Sequence, residues 1–231
     1  MSARPTIACD LDGTLVDTAP DLVDTLNFVL EEAGLDPIPY DEARNLVGGG
    51  ARALIERGLA FEREKLPARE VDRLLARFLV HYEAHLADRS RAFPEVAATL
   101  GALAAKGALL VVCTNKLERF SMKLLQALGL AERFAVIAGA DTFEVRKPDP
   151  GHLLGAVARA GGRSAAAVMV GDSETDVLTA RRAKVPVVAV SWGYSRIPAG
   201  ELGADRLIER MNDLPSAVEE LLDRAAAKTR K

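Results

Sequence analysis

The sequence predicts an α/β protein: a doubly wound (Rossmann-like) parallel sheet core with a small helical cap domain inserted after the first strand. Five short runs are apolar at almost every position, as is typical of parallel strands covered by helices on both faces. Segments with apolar residues at helical spacing separate these runs. One interval, between about residues 21 and 86, contains only helical patterns. We therefore expect β/α units that build one sheet, with the helical interval outside it.

The five predicted strands are short and contain many β-branched residues. In chain order they are TIACD (residues 6–10), ALLVVCT (108–114), AVIAGA (135–140), AAVMVGD (166–172) and VPVVAVS (185–191). The helices predicted between them cover residues 94–107, 117–129, 149–161 and 174–183. Together these segments form the β/α units of the predicted core.

The helical interval is too long to be a loop. Its patterns are PDLVDTLNFVLEEAG, YDEARNLV, GARALIERGLAF and AREVDRLLARFLVHYEAHL. A block of this size is expected to pack as a small helical domain. We predict a cap domain over residues 19–87 and an α/β core domain over residues 1–18 and 88–231.

The composition is typical of a soluble globular protein. Of the 231 residues, 49% are apolar and 27% are charged. The net charge of −3, with acidic and basic residues interspersed, provides no electrostatic surface for nucleic acid or an anionic membrane. We therefore expect a small-molecule partner, and a protein that works as a monomer or a homodimer.

The sequence predicts neither a membrane span nor a signal peptide, and it predicts no disulfide framework. No apolar run approaches membrane-spanning length, and a strand-like run begins within a few residues of the N-terminus, which leaves no room for a signal peptide. The two cysteines, Cys9 and Cys113, both lie in apolar runs. We expect a cytoplasmic protein whose cysteines belong to the core.

Polar side chains follow the predicted strands, at the edge where an open α/β sheet binds its ligands. The first, second and fourth runs end in such residues, and a lysine follows the third run after a short intervening segment. The set contains carboxylates, hydroxyls, an amide and one ammonium: Asp10, Asp12, Thr114, Asn115, Lys147, Asp172, Ser173 and Asp176. We expect these groups to converge on one edge of the sheet.

Three or four carboxylates at one edge repel each other unless a proton, a cation or a lysine compensates them. A hard divalent cation would compensate this charge. Mg²⁺ is the typical choice for a site with a few protein oxygens, because it keeps several of its waters. Thr114, Ser173 and Lys147, together with loop N–H groups, could then hold a phosphate group. The residues by themselves therefore predict phosphoryl transfer.

Six motifs occur in a fixed order along most of the chain. They are DLDGTLVDTAPDL (10–22), VGGGARALIERGL (47–59), CTNK (113–116), KPDP (147–150), GDSETD (171–176) and WGY (192–194). On these motifs the sequence resembles the haloacid dehalogenase superfamily, in its aspartate-nucleophile phosphatase branch, and most closely the phosphoglycolate phosphatases. DxDGT followed by T-N, K-P and GDxxxD is a highly specific combination, whereas each piece alone is weak.

The resemblance implies a magnesium-dependent phosphomonoesterase that forms an aspartyl-phosphate. Asp10 would be the nucleophile, and Asp12 would act as general acid and then as general base. The Mg²⁺ ligands would be Asp10, the backbone carbonyl of Asp12 and Asp172, with Ser173 and Asp176 supporting the site.

The phosphoryl group would be held by a second set of residues from the same motifs. Thr114 and Asn115 would bind its oxygens, and Lys147 would neutralise charge beside the nucleophile. Gly13 would let the backbone turn sharply and approach the phosphate, with Thr14 assigned to substrate binding beside it.

Substrate specificity would come from the cap, because the core contacts only the phosphate. The resemblance places the loop at residues 48–50, including Gly49, and the helix after it above the active site. Arg52 could bind a substrate carboxylate, with Arg44 or Arg57 as alternatives. The triple glycine lacks the Gly-Lys-Ser/Thr ending of a Walker A loop, so we do not expect it to bind a nucleotide phosphate.

The first substrate choice is 2-phosphoglycolate. The alternatives are the same mechanism on a sugar phosphate, for example N-acetylmuramic acid 6-phosphate, or a phosphohexomutase whose cap excludes water. Asp12 argues against a dehalogenase, and the position of Lys65, the one lysine of the cap, argues against a phosphonatase. A phospho-receiver regulatory module is disfavoured by the helical insert.

Three local features carry further expectations. Family members often have glycine near Glu95 and Lys184, so we expect the helix before Lys184 to end differently, since a left-handed non-glycine residue costs about 1 kcal/mol. His81 and His85 are four residues apart and are expected to pack or be solvated, not to bind metal. Cys9 and Cys113 are expected to lie near one another under the active site.

Overall fold

A computed structural model of the protein describes residues 4–229, and side chains up to residue 227. Its strands, in chain order, are β1 (Thr6–Cys9), β2 (Val16–Asp17), β3 (Arg91–Ala92), β4 (Leu109–Cys113), β5 (Val136–Ala138), β6 (Ala167–Gly171), β7 (Val187–Val190) and β8 (Arg206–Ile208). Its α-helices are α1 (Ala19–Glu32), α2 (Tyr40–Ala43), α3 (Ala51–Phe61), α4 (Ala68–His85), α5 (Val96–Ala105), α6 (Glu118–Ala127), α7 (Pro150–Arg159), α8 (Glu174–Ala183) and α9 (Leu214–Thr229).

The main sheet is parallel throughout the described residues, with the strand order β5-β4-β1-β6-β7-β8. The α/β fold class predicted from the apolar runs is confirmed, and each of the five predicted runs contains a strand. Strand β8 was not predicted, because it has three residues and begins with Arg206, whose guanidinium pairs with Glu220. A short edge strand with a charged residue leaves no apolar run to detect.

Two apolar layers cover the two faces of the sheet. On one face, Val111 and Met169 pack with Leu153 and Ala156 of α7. On the other, Val112, Val168 and Val170 belong to a larger apolar cluster that includes residues of α5, α6 and α9. Because β1, β4 and β6 are buried on both faces, their sequences lack the alternation of a half-exposed strand.

Residues 19–90 contain helices and no strand, between the antiparallel pair β2 and β3. Helices α1, α3 and α4 pack on one another in this helical segment. Their apolar residues, among them Leu22, Leu54 and Phe78, continue the larger cluster of the core. The assignment of residues 19–87 as a separate cap domain stays a prediction. Among residues 4–229, no helix is long and apolar enough to cross a membrane.

The two cysteines occupy neighbouring strands but opposite faces of the sheet. Cys9 pairs in register with Val112, so Cys113 is one residue out of register, and the two thiols lie in different apolar clusters. Burial raises the pKa of each thiol to about 12. Cys113 is in contact with Nδ1 of His152 at 3.2 Å, and His152 Nε2 is 2.8 Å from the carbonyl of Gly139. Both cysteines are free, buried core residues.

Helix α8 ends in a left-handed residue even though that residue is lysine. Lys184 has φ 56° and ψ 36°, and its N–H bonds to the carbonyls of Ala180 and Arg181. The expectation that a lysine at this position would make the helix end differently, without a left-handed residue, was wrong. The hydrogen bonds at the helix end and the tight connection into β7 hold Lys184 in a strained conformation.

We expect Lys184→Gly to raise the free energy of unfolding by about 0.5 to 1 kcal/mol, since relief of left-handed strain exceeds the added entropy of the unfolded chain. Urea denaturation followed by circular dichroism measures this. The matched control is Lys106→Gly, because Lys106 ends α5 with an ordinary φ of −77°. Equal stability changes in the two variants would show that the conformation of Lys184 is not strained.

Candidate active site

The loop after β1 brings two carboxylates to the carboxyl edge of the sheet. The N–H of Asp10 donates to the carbonyl of Val170 at 2.8 Å and so extends the β1–β6 ladder by one residue. Gly13 then adopts φ +83°, and a Cβ at this position would lie 2.6 Å from Oδ2 of Asp172. Only glycine therefore lets this loop approach the end of β6 so closely.

Lys147 joins the first carboxylate to a second one. Its Nζ lies 2.9 Å from Oδ2 of Asp10 and 2.6 Å from Oδ1 of Asp176, and the lysine side chain is 1% exposed. Burial acts to lower the pKa of Lys147, but the two carboxylates outweigh it and raise that pKa above its usual value. The ammonium is therefore charged at neutral pH.

The position of Lys147 follows from the motif around it. Asp149 accepts the N–H of Gly151 at 2.7 Å, and Pro150 occupies the first turn, so α7 begins three residues after the lysine. At the other end, Asp176 accepts the N–H and the hydroxyl of Ser173 through Oδ2, which forms a capping box for α8. Both oxygens of Asp176 thus already have donors.

Asp172 lies at the end of β6 with both of its oxygens bonded. The Thr14 hydroxyl donates to Oδ1 and the N–H of Tyr194 donates to Oδ2, each at 2.8 Å. Burial, followed by the nearby Asp176 and Asp10, raises the pKa of Asp172 to about 8. Burial also raises the pKa of Asp10 to about 6, although Lys147 opposes this. The chain's own cations therefore leave negative charge uncompensated at this edge.

That uncompensated charge fits a divalent cation. Carboxylate oxygens of Asp10, Asp172 and Asp176 all lie within 4.8 Å of one another, and carboxylates are preferred ligands of hard cations. Asp10 and Asp172 line the pocket at this edge, whereas Asp176 is fully buried against Lys147 and Ser173, so Asp10 and Asp172 are the better direct ligands. The donor set fits a site for a divalent metal ion.

Asp12 is bound by a different lysine. Its Oδ1 lies 2.8 Å from Nζ of Lys116 and accepts the hydroxyl of Thr18 at 2.7 Å. Burial acts to lower the pKa of Lys116, but Asp12 outweighs it and raises that pKa. Asp10 and Asp12 therefore each have their own buried ammonium.

The loop after β4 supplies Thr114 and Asn115. The N–H of Thr114 donates to the carbonyl of Ala138 at 3.0 Å, which fixes the loop against β5. Asn115 donates through Nδ2 to the carbonyl of Lys147 at 3.1 Å. These bonds fix the loop in place, and Thr114 and Asn115 line the same pocket as Asp10 and Lys147.

A pocket of about 390 Å³ adjoins these groups and is closed on its other side by the helical segment. Leu22, Leu75, Phe78 and Tyr82 give it an apolar wall. The predicted site residues that line it are Asp10, Asp12, Gly49, Arg52, Thr114, Asn115, Lys147, Asp172 and Ser173. Gly13, Thr14 and Asp176 lie behind this surface.

Two of the residues behind the surface, Gly13 and Thr14, contact a carboxylate rather than line the pocket. Thr14 was expected to bind substrate, but its hydroxyl donates to Asp172. Gly13 contacts the same carboxylate at close range. The structure therefore brings Gly13 and Thr14 to the candidate metal ligand rather than to the pocket.

Among the three arginines considered for a substrate carboxylate, Arg52 alone lines the pocket in the described chain. It is 43% exposed and pairs with Asp72, and its Nη1 lies 3.7 Å from Glu56. Arg57 instead donates to the carbonyls of Leu46 and Gly48, which holds the glycine loop. Arg44 stacks over the ring of Tyr194 at 5.0 Å.

A sequence comparison with family models matches haloacid dehalogenase-like hydrolases over residues 7–190. The chain belongs to this family. A phosphoglycolate phosphatase from Caulobacter vibrioides is 50% identical over 217 residues, 94% of this chain and 92% of that protein. One from Agrobacterium fabrum is 46% identical over 224 residues, 96% of each chain.

A solved structure gives the same result for the fold of this haloacid dehalogenase-like hydrolase. The crystal structure of a predicted phosphoglycolate phosphatase from Haemophilus somnus 129pt superposes with a TM-score of 0.87 at 29% identity, covering 94% of this chain and 99% of that one. The predicted class of enzyme, a phosphoric monoester hydrolase, is confirmed by these relatives.

Sequence reasoning missed three residues of this hydrolase's site. Lys116 stands directly after Thr114 and Asn115 in the CTNK motif, and Tyr194 closes the WGY segment. Both residues therefore lie in motifs that the sequence analysis identified, although neither residue was given a role. The Tyr194 hydroxyl accepts the N–H groups of Thr18 and Ala19 and donates to Asp17, at the start of α1. Arg146 also lines the pocket and had no signal beyond its position before Lys147.

Proposed function

We propose that this hydrolase is a magnesium-dependent phosphatase that forms an aspartyl-phosphate on Asp10, with 2-phosphoglycolate as its substrate. The observation that carries the mechanism is the arrangement around Asp10, a pocket-lining carboxylate held by Lys147 and adjoining a second carboxylate, Asp172. The names of the relatives at 46% and 50% identity support the substrate.

In the first step, an oxygen of Asp10 attacks phosphorus in line with the ester bond. The new bond joins the Asp10 oxygen to phosphorus, and the bond from phosphorus to the substrate oxygen breaks. Asp12 gives a proton to that leaving oxygen, so the product leaves as an alcohol. In the second step Asp12 takes a proton from water, which attacks phosphorus and releases phosphate from Asp10.

The remaining residues bind and orient. Thr114, Asn115 and Lys147 hold the phosphoryl oxygens, and the Lys147 ammonium offsets the negative charge beside Asp10. Asp10, the carbonyl of Asp12 and Asp172 would hold Mg²⁺, which when bound offsets the charge of the carboxylates and the phosphate. The helical segment acts as a cap that excludes water from the pocket.

Arg52 is the candidate for the substrate carboxylate. It lies on the pocket wall, and its present partner Asp72 is exposed. Exchanging this exposed ion pair for a pair with the substrate carboxylate inside the pocket therefore costs little. A planar guanidinium also matches a carboxylate in a two-point contact.

The test is phosphate release from 2-phosphoglycolate, N-acetylmuramic acid 6-phosphate and 4-nitrophenyl phosphate, with Mg²⁺ and with EDTA. We expect 2-phosphoglycolate to have the highest kcat/KM, EDTA to abolish turnover and Mg²⁺ to restore it. Arg52→Ala should lower kcat/KM for 2-phosphoglycolate by about 10- to 100-fold, the worth of a charged hydrogen bond, and leave 4-nitrophenyl phosphate little changed.

Two results would contradict parts of this proposal. A higher kcat/KM for the sugar phosphate would replace the substrate and leave the mechanism in place. Full activity in EDTA after extensive dialysis would exclude the role of the metal.

A further inference from the structure

Lys116 is a buried cation that the proposed mechanism does not use. Its side chain is 5% exposed, and its Nζ lies 2.8 Å from Oδ1 of Asp12. The same ammonium lies 4.6 Å from the ring centre of Tyr82 in α4. Tyr82 is itself 1% exposed, so the ammonium is enclosed between a core carboxylate and an aromatic ring of the helical segment.

The contacts of Asp12 distinguish its two oxygens. Oδ1 receives two donors, Nζ of Lys116 at 2.8 Å and the hydroxyl of Thr18 at 2.7 Å. Thr18 is the residue before α1, a position where a threonine usually caps the helix, yet its side chain makes no cap bond. Its hydroxyl is used for Asp12 instead. Oδ2 is thereby left to exchange a proton with a substrate.

The loop that carries Lys116 is fixed in place. The N–H of Lys116 donates to the Thr114 hydroxyl at 3.2 Å, and its carbonyl accepts the N–H of Ala140 at 2.9 Å. A Cβ at Gly139 would lie 2.7 Å from that carbonyl, so the loop packs directly on the backbone after β5. The ammonium therefore projects from a rigid support.

We propose that Lys116 is a positioning residue: together with Thr18, it holds the Asp12 carboxyl group so that Oδ2 faces the leaving oxygen of the substrate. The inference rests on the proposed function, because it assigns Asp12 the proton transfer. As the bond between phosphorus and the leaving oxygen breaks and the bond to Asp10 forms, the proton moves from Oδ2 to that oxygen. Displacement by about 1 Å is enough to lose about a hundredfold in rate.

This role can be separated from a merely structural one by varying the leaving group. A basic leaving oxygen needs the proton of Asp12, whereas an acidic phenol leaves readily without it. The experiment measures kcat/KM, which reports the first phosphoryl transfer, for a series of substituted phenyl phosphates that includes 4-nitrophenyl phosphate. None of these esters carries a carboxylate on its leaving group, so recognition of a carboxylate does not enter.

We expect Lys116→Met to lower kcat/KM by about a hundredfold for the most basic leaving group and by less than about threefold for 4-nitrophenyl phosphate. The plot of log kcat/KM against the pKa of the leaving phenol should therefore become steeper. Thr18→Val, which removes only the second donor, should steepen it less, and Lys116→Arg should restore part of the wild-type slope.

Lys106→Met is the matched control, because Lys106 forms an exposed ion pair with Glu219. It should match the wild type on every ester. An equal loss on all esters in Lys116→Met and an unchanged slope in Thr18→Val would overturn the inference, even if Lys116→Met folds poorly. 2-Phosphoglycolate is measured beside the series, and a loss of kcat/KM confined to it would also overturn the inference, by assigning Lys116 to the substrate carboxylate. If the wild type releases phosphate from neither these esters nor 2-phosphoglycolate, the proposed function itself fails.

Discussion

Asp10→Asn is expected to lower kcat for phosphate release by about four orders of magnitude or more, on every phosphate ester that the wild type hydrolyses. An amide oxygen is a far poorer nucleophile than a carboxylate and does not form a stable acyl phosphate. The substitution also removes one of the two carboxylates that contact Lys147, at 2.9 Å, and one of the two carboxylates proposed to hold the metal. Steady-state phosphate release with Mg²⁺ measures the effect.

The control for this substitution is Asp213→Asn, which neutralises a carboxylate that pairs with Arg210 at the surface. It should retain wild-type kcat. A second readout is the mass of the peptide that contains Asp10 after acid quenching during turnover, which should carry a phosphoryl group in the wild type only. Activity of Asp10→Asn within tenfold of the wild type would show that another group attacks phosphorus.

Lys147→Met is expected to lower the free energy of unfolding by about 3 to 5 kcal/mol in EDTA, the cost of removing one partner of a buried ion pair. Asp176 is fully buried, and without the ammonium its charge faces Asp10 and Asp172 with no cation of the described residues in contact. Urea denaturation measures the loss. Mg²⁺ should reduce it, because a cation that binds only the folded state stabilises that state.

A double variant separates charge from packing. In Lys147→Met with Asp176→Asn, one buried carboxylate is removed together with the lysine, so part of the lost stability should return. Lys106→Met, which breaks an exposed pair, should change stability by less than about 1 kcal/mol. A loss as small as this in Lys147→Met would mean that the ammonium does not hold the carboxylate cluster together.

Much of the site was predictable because it depends on local pattern. Asp10, Thr114 and Asp172 each follow an apolar run, and the carboxyl ends of parallel strands meet at one edge whatever the strand order. The helical patterns between about residues 21 and 86 likewise predicted helices α1 to α4. Burial on both faces makes the apolar runs of these strands continuous, and helices need a periodic apolar face. Strands and helices of this kind can therefore be recognised from short stretches of sequence.

Contacts between residues that are distant in sequence could not be predicted from local sequence pattern. The pairing of Asp12 with Lys116 joins residues 104 positions apart, and that of Asp172 with Tyr194 depends on a loop after β7. Arg52 faces the pocket but is paired with Asp72, and only the packing of α3 on α4 brings those two side chains together.

The sequence by itself determined the α/β architecture, the helical insertion and the set of polar groups at one edge of the sheet, because apolar periodicity and strand ends are local properties. The tertiary structure decided which ammonium holds which carboxylate, which arginine reaches the pocket and how the α8 helix ends. Those outcomes depend on distances of a few ångströms between residues far apart in the chain, and on packing that holds Lys184 in a conformation its own preference opposes.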